Sequence, residues 1–289
     1  MHALDFEEFL WAIGVNQMAI SYVKEFFDKK EKVPNDINEK MFEYLREYIV
    51  VGGMPDVVNT FVKTKNYSEV QSSQEKIIRT YYEDMIKYAP VAEKPKVRRC
   101  YDSIPKQLAK DNKKFQFSVV EKKSTARKYG NSLEWLLDAN IIQRIFNVST
   151  PLFTLMAYEK DDQYKVYVND IGLLVAMYGF EMKAPILENS LKGFAKGGIY
   201  ENLVSDILIK RGYRLSYYKV ENTAQEIEFL LTTKDGVVPI EVKAGNNASV
   251  SLNTFVDNFK PNAAYKLITG NVGVSETKIT LPLYMAIFI

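Results

Sequence analysis

The stretch that most constrains this chain lies late in it: Glu226-Ile-Glu-Phe-Leu-Leu, followed by Pro239-Ile-Glu-Val-Lys-Ala-Gly245. In the first run Ile227, Phe229 and Leu231 alternate with Glu226, Glu228 and Leu230. In the second, Val238, Ile240 and Val242 alternate with Pro239, Glu241 and Lys243. Alternation with period two marks a β-strand with two unlike faces, and Lys234-Asp235-Gly236 between the runs reads as a hairpin turn. The pattern puts Glu241 and Lys243 on one face of one strand, where Glu228 can join them from its neighbour. Two carboxylates and an ammonium on an otherwise apolar sheet are costly to bury unless they are paired or used. The spacing suits a divalent-metal site that cleaves phosphodiesters.

The surroundings of the hairpin are equally legible. Tyr200–Arg211 has an apolar stripe at Tyr200, Leu203, Val204, Ile207 and Leu208 and is stopped by Gly212, which predicts an amphipathic helix. Tyr213–Val220 reads as a strand, Leu252–Phe259 as a helix and Ala264–Thr269 as another strand. The order is α-β-β-β-α-β, and the last helix can cross over to a parallel strand, giving a mixed sheet flanked by helices. Glu201 precedes Val204 and Leu208 by three and seven positions, so it borders the buried stripe of its helix. With Glu228 and Glu241 it would form an oxygen-only ligand set suited to Mg²⁺ or Mn²⁺. Lys243 would then stand near the attacking water or the developing charge. A salt-bridged strand surface is the plainer reading of Glu241-x-Lys243 alone.

Upstream, Asp5 with Glu8 three residues on predicts a capped helix start. Helical periodicity continues through Ile37–Val51 and Val70–Tyr88, broken by Gly52-Gly53-Met54-Pro55. That break is a helix stop and turn, or a loop that makes a functional contact. Further on, Ile104–Lys110, Ser118–Lys122 and Lys128–Asn140 read as three helices, and Ile142–Val148 with Lys165–Val168 as two strands. Three helices closed by a two-stranded wing is a winged-helix pattern. From Ile104 to Lys128 the chain carries eight lysines and arginines against Asp111 and Glu121, a local excess of six positive charges. Lys113, Lys114, Lys122, Lys123, Arg127 and Lys128 are the candidate phosphate contacts for DNA. A solvated face, or a wing used for protein packing, is the alternative. A loop around Pro185 is expected to lead into the last unit.

Composition narrows the chemistry. With 289 residues and 47% hydrophobic content the chain can bury a core in two or three units. The net charge is only +2, so any nucleic-acid footprint must be local. Cys100 is the only cysteine, which excludes an internal disulfide and fits a reducing, cytoplasmic compartment. His2 is the only histidine, which removes Ser-His-Asp triads, Cys-His pairs and ordinary zinc sites. No apolar run is long enough for a membrane span, and no phosphate-loop motif is present, since Gly193-Phe-Ala-Lys-Gly-Gly198 is not one.

The final unit resembles the PD-(D/E)XK nuclease superfamily, which includes archaeal Holliday-junction resolvases. The resemblance extends through Leu4-Asp-Phe-Glu-Glu-Phe-Leu10, Val51-Gly-Gly-Met-Pro55, Leu133-Glu-Trp-Leu136, Asp170-Ile-Gly-Leu-Leu174, Tyr200-Glu-Asn202 and Pro239-Ile-Glu-Val-Lys-Ala-Gly245. Together these are similar to the part that follows the ATPase core in a family of prokaryotic AAA-type ATPases. That resemblance implies an α+β protein with a helical region over 1–100, a winged helix over 101–185 and a nuclease-like domain over 186–289. It implies Glu201, Glu228, Glu241 and Lys243 as the nuclease-like quartet, a preceding P-loop domain as the sole route to ATP, DNA as partner, and a homo-oligomer as in junction-cutting relatives. The superfamily usually has Asp where Glu228 stands, and the longer side chain shifts the carboxylate by about one C–C bond. Mg²⁺ holds its ligands at roughly 2.0–2.1 Å in near-octahedral geometry. The expected function is a DNA-binding winged helix joined to a metal-dependent nuclease-like site. The alternative is a non-catalytic DNA- or protein-binding module of the same ATPase, with a degenerate nuclease fold.

Overall fold

A computed structural model of the chain describes residues 3–245 and 249–289, so His2 lies outside the described residues. Eight helices come first: α1 (Phe6–Ala12), α2 (Gln17–Lys29), α3 (Asn35–Val51), α4 (Pro55–Thr64), α5 (Tyr67–Tyr88), α6 (Lys94–Leu108), α7 (Phe117–Val120) and α8 (Ala126–Asp138). Strands β1 (Ile142–Val148) and β2 (Glu159–Val168) follow, then α9 (Ile171–Tyr178), α10 (Lys183–Leu187) and α11 (Phe194–Lys210). The chain ends with β3 (Leu215–Lys219), β4 (Glu226–Thr233), β5 (Gly236–Val242), α12 (Val250–Phe259), β6 (Ala264–Ile268), β7 (Gly273–Ser275), β8 (Lys278–Pro282) and a 3-10 segment, Leu283–Phe288. The molecule is thus α+β, helical at first and with a mixed sheet toward its C-terminus. Among the described residues no helix is long and apolar enough to cross a membrane.

The chain divides into two compact units built from separate stretches. One holds the residues up to Leu4, Arg46–Arg144 and Lys165–Asn202; the other holds Asp5–Leu45, Ile145–Tyr164 and Leu203–Ile289.

In the first unit, two sequence motifs meet. The Asp170 carboxylate caps α9 by accepting from the Leu173 amide at 2.9 Å, and its other oxygen accepts from the Gly53 amide at 2.7 Å. Gly52 has φ +78°, and a Cβ there would lie 2.3 Å from Asp170 Oδ1. A Cβ on Gly172 would lie 2.3 Å from the Val51 carbonyl oxygen. Only glycine permits these approaches, so the Gly-Gly break and the Asp-Ile-Gly motif are two halves of one structural joint. Gln74 Nε2 lies 2.9 Å from the carbonyl oxygens of both Val50 and Val51 and 3.1 Å from that of Gly172, which satisfies the C-terminal carbonyls of α3. The Gly52–Pro55 break is therefore a helix stop and turn, with Pro55 opening α4. Pro185, expected in a boundary loop, instead lies inside the short α10, where an early helical position tolerates it.

In the second unit, Asp5 and Glu8 form a reciprocal capping box: the Glu8 amide donates to Asp5 Oδ1 at 2.8 Å and the Asp5 amide to Glu8 Oε2 at 2.9 Å. The sheet has the strand order β2-β1-β3-β4-β5-β6-β8-β7. β3, β4 and β5 are antiparallel neighbours, and α12 leads to β6, which runs parallel to β5. The expected two-stranded wing is not a separate ribbon. β1 pairs in parallel with β3 through Phe146↔Ser216 and Asn147↔Tyr217, so both strands extend the sheet. β4 and β5 are covered on both faces, with Ile227, Phe229, Leu230, Leu231 and Ile240 fully buried. A core of Val148, Leu155, Ile227, Leu230, Leu252, Phe255 and Ala264 packs under α12.

Candidate functional site

Covering both faces of the hairpin forces its charges to find partners, since a lone buried charge is expensive. Glu241 is 1% exposed and Glu228 7%. In β4 and β5 the register Phe229↔Ile240, carried one step further, brings Glu228 and Glu241 opposite each other. Lys243 joins them: its Nζ lies 3.1 Å from Glu228 Oε1 and 3.5 Å from Glu241 Oε1. Glu228 Oε2 accepts from the Val242 amide at 3.1 Å. Across the parallel β5/β6 pair, Lys266 stands beside Glu241 and is itself buried. Two carboxylates and two ammoniums thus share one stretch of sheet, and the strand positions put their formal charges in balance. Glu241 Oε2 is buried without a hydrogen-bond partner. The sequence placed the first three residues together. Lys266 was within reach of the same reasoning, in the middle of the expected strand Ala264–Thr269, but only a known parallel register picks it out.

Glu201 belongs to the first unit, on α11. It is 5% exposed and accepts from Lys165 at 3.0 Å and from the Tyr167 hydroxyl at 2.9 Å, with Lys113 at 3.0 Å from its other oxygen. The neighbouring Asn202 accepts from the Val168 amide at 2.8 Å and donates to the Val168 carbonyl at 2.9 Å. The Tyr-Glu-Asn motif therefore ties α11 to the end of β2. Tyr200 beside it is buried, which pushes its hydroxyl pKa up to about 12. Lys165 and Tyr167 are partners that sequence reasoning missed, because nothing local links β2 to α11.

Whether these carboxylates fit Mg²⁺ or Mn²⁺ is decided by what they already hold. Each of Glu201, Glu228 and Glu241 has an ammonium within 3.5 Å. Among the described residues no group of three or more His, Cys, Asp or Glu is placed to hold a metal ion. One atom points the other way: the buried Glu241 Oε2 has a lone pair to offer.

The basic stretch divides in a way the sequence does not show. Lys113 is turned inward to Glu201, its side chain 11% exposed. Lys114 is half-buried, and its backbone bridges to Lys165. Lys122, Lys123, Arg127 and Lys128 are exposed. They gather at the turn between α7 and α8 and on the first turn of α8. α8 buries Tyr129, Ser132, Leu133 and Leu136 and packs on α6, leaving Arg127, Lys128, Asn131 and Glu134 outward. Lys128 is paired with Glu121 at 2.8 Å, whereas Lys122, Lys123 and Arg127 have no ion pair among the described residues.

Residues 42–184 match a domain of unknown function (DUF8612), and residues 196–286 match a second one (DUF4143), a domain often found in AAA-ATPase-associated proteins. No curated protein and no solved structure matches the chain.

Proposed function

We propose that this chain is a DNA-binding module that serves an AAA-type ATPase, with α6, α7 and α8 as a helix-turn-helix of winged-helix type and α8 in the recognition position. In this reading the α11-β3-β4-β5-α12-β6 order is a PD-(D/E)XK-like fold whose charged site is structural. The observation that carries it is the exposed trio Lys122, Lys123 and Arg127 at the start of α8, without ion pairs, on a chain whose net charge is only +2. Unpaired cations at a helix N-terminus lying on a packed helical scaffold are what phosphate contacts require. The DUF4143 match supports the link to an ATPase. The lysine partner of each carboxylate supports a structural role for the quartet, because an ion-paired buried carboxylate is stabilised in place.

The test is anisotropy of a labelled 20-base-pair duplex titrated with the protein at several salt concentrations. The Lys122/Lys123/Arg127 triple alanine should weaken binding and reduce the slope of log K against log salt by about 2.7, at roughly 0.9 per phosphate contact. Equal affinity and slope in wild type and triple mutant would sink the reading.

A second reading is favoured by Glu241 Oε2 alone: a divalent-metal, nuclease-like site. Glu228 and Glu241 would hold Mg²⁺ or Mn²⁺, which supplies Lewis-acid activation of a phosphodiester. Calorimetry separates the two. Mn²⁺ binding that disappears in Glu241→Ala establishes the metal reading, and absence of binding in the wild type removes it.

A further inference from the structure

Just before α8, one carboxylate gathers three donors from two different helices. Glu121, which follows α7, accepts at Oε2 from Lys128 Nζ at 2.8 Å, from Arg99 NH1 at 3.2 Å and from the Tyr129 hydroxyl. Arg99 NH1 also lies 3.4 Å from the Tyr129 hydroxyl. Arg99 comes from α6, and Lys128 and Tyr129 from α8. Tyr129 is fully buried, so its hydroxyl is fixed by the core and aimed outward at the carboxylate. Arg99 and Lys128 are long side chains with 59% and 48% of their surface exposed. A guanidinium, an ammonium and a fixed phenol converging on one anionic oxygen make the donor set of a phosphate site. The donors hold the Glu121 carboxyl down to about 2, the Lys128 hydrogen bond foremost and the Tyr129 bond next, so it remains charged throughout the neutral range.

We infer that Arg99, Lys128 and Tyr129 form a phosphate-binding subsite that Glu121 fills with its own carboxylate when no nucleic acid is bound. The inference rests on the DNA-binding reading above and names a regulation of that surface. Lys122 and Lys123 follow Glu121 directly, and Arg127 precedes Lys128. A backbone held by those three cations therefore arrives where its next phosphate can take the place of Glu121. A backbone phosphodiester carries one negative charge over two oxygens, as the Glu121 carboxylate does, so it can satisfy the same guanidinium, ammonium and phenol donors. Glu121 then sets how tightly DNA is held, because every phosphate entering the subsite must first displace it.

The experiment uses the full chain and the same 20-base-pair duplex. Glu121→Gln removes the competing charge and is expected to tighten binding at about 0.15 M salt roughly tenfold. It should also steepen the salt slope by about 0.9, the value for one added phosphate contact. Arg99→Ala placed in the Glu121→Gln background should return both quantities toward wild type. Wild-type binding with no change in Glu121→Gln would overturn the subsite and leave the DNA-binding reading standing. No binding by the wild type removes both. Should Glu121→Gln fail to fold, Glu121→Asp keeps the charge while shortening its reach by one carbon. It is read in the same titration, where a smaller tightening supports the subsite and unchanged affinity overturns it.

Discussion

Lys183 is the residue on which burial weighs most plainly. It is 2% exposed, and its ammonium donates to two neutral acceptors, Gln74 Oε1 at 2.7 Å and the Val50 carbonyl at 3.2 Å. Loss of water pushes its pKa from 10.5 down to about 8, against a weaker upward pull from Glu75. The unfolded chain keeps an ordinary lysine, so between about pH 8 and pH 10.5 the unfolded state binds more protons than the folded one. Stability therefore rises with pH across that window. The gain from this group should reach roughly 3 kcal/mol, at about 1.4 kcal/mol per pKa unit. Buried tyrosines and Cys100 have raised pKa values and act in the opposite direction, so the measurement must be a difference. Urea unfolding of wild type and Lys183→Met at pH 7.5, 9 and 10 supplies it, since the other groups cancel. The wild type should gain on the mutant as pH rises, and a constant gap would show that Lys183 is not charged against its surroundings. The same logic explains why Glu201, Glu228 and Glu241 each keep a lysine close: a buried charge is retained where an opposite one neutralises it.

Among the elements, those legible in the sequence are those with a local signal. The β4–β5 hairpin shows itself by period two and a Gly236 turn with φ +117°, and the α1 start by its capping box. α12 and β6 follow from ordinary amphipathic patterns and from the parallel crossover. α2 carries an Asn16 cap that accepts from the Met18 amide at 2.9 Å, a signal sufficient to find it. α9 has no polar face to betray it: Ile-Gly-Leu-Leu-Val-Ala-Met-Tyr is apolar nearly throughout, and its Asp170 cap is the sole marker. β8 is only five residues long and ends in a proline, so the alternation of Ile279 and Leu281 is too short to stand out. β1 and β2 do read as strands, but no local signal says that β1 pairs with β3, more than sixty residues on. The candidate site divides along the same line. Glu228, Glu241 and Lys243 meet because hairpin register is local, whereas Lys165 reaches Glu201 across 36 residues and Lys113 leaves the basic surface to join it. Pairing of that kind is decided by tertiary packing, which no short motif encodes.

At the scale of the whole chain, the C-terminal sheet does not complete its own core. In the second unit the segment Leu283–Phe288 is buried from Leu283 through Ile287, and part of its cover comes from the other end of the sequence. Tyr284 meets Phe42 with ring centroids 5.1 Å apart, and Phe288 meets Phe27 at 5.7 Å. The Tyr284 hydroxyl donates to Asn38 Oδ1 at 2.7 Å. Asn271 both accepts from the Val33 amide at 2.9 Å and donates to its carbonyl at 2.7 Å. Arg211 at the end of α11 reaches Glu7 at 3.1 Å. Residues 186–289, which look like a self-contained nuclease-like domain in the sequence, would expose these aromatic and carbonyl groups if expressed alone. A large apolar surface and several backbone partners would be lost together, and a domain of about a hundred residues has little stability to spare. That fragment is therefore expected to lack a cooperative urea transition and to bind a hydrophobic dye. The same fragment joined through a flexible linker to residues 5–45 should regain much of the transition. Cooperative unfolding of 186–289 by itself, with the midpoint of the full chain, would show that the N-terminal helices add nothing to that core.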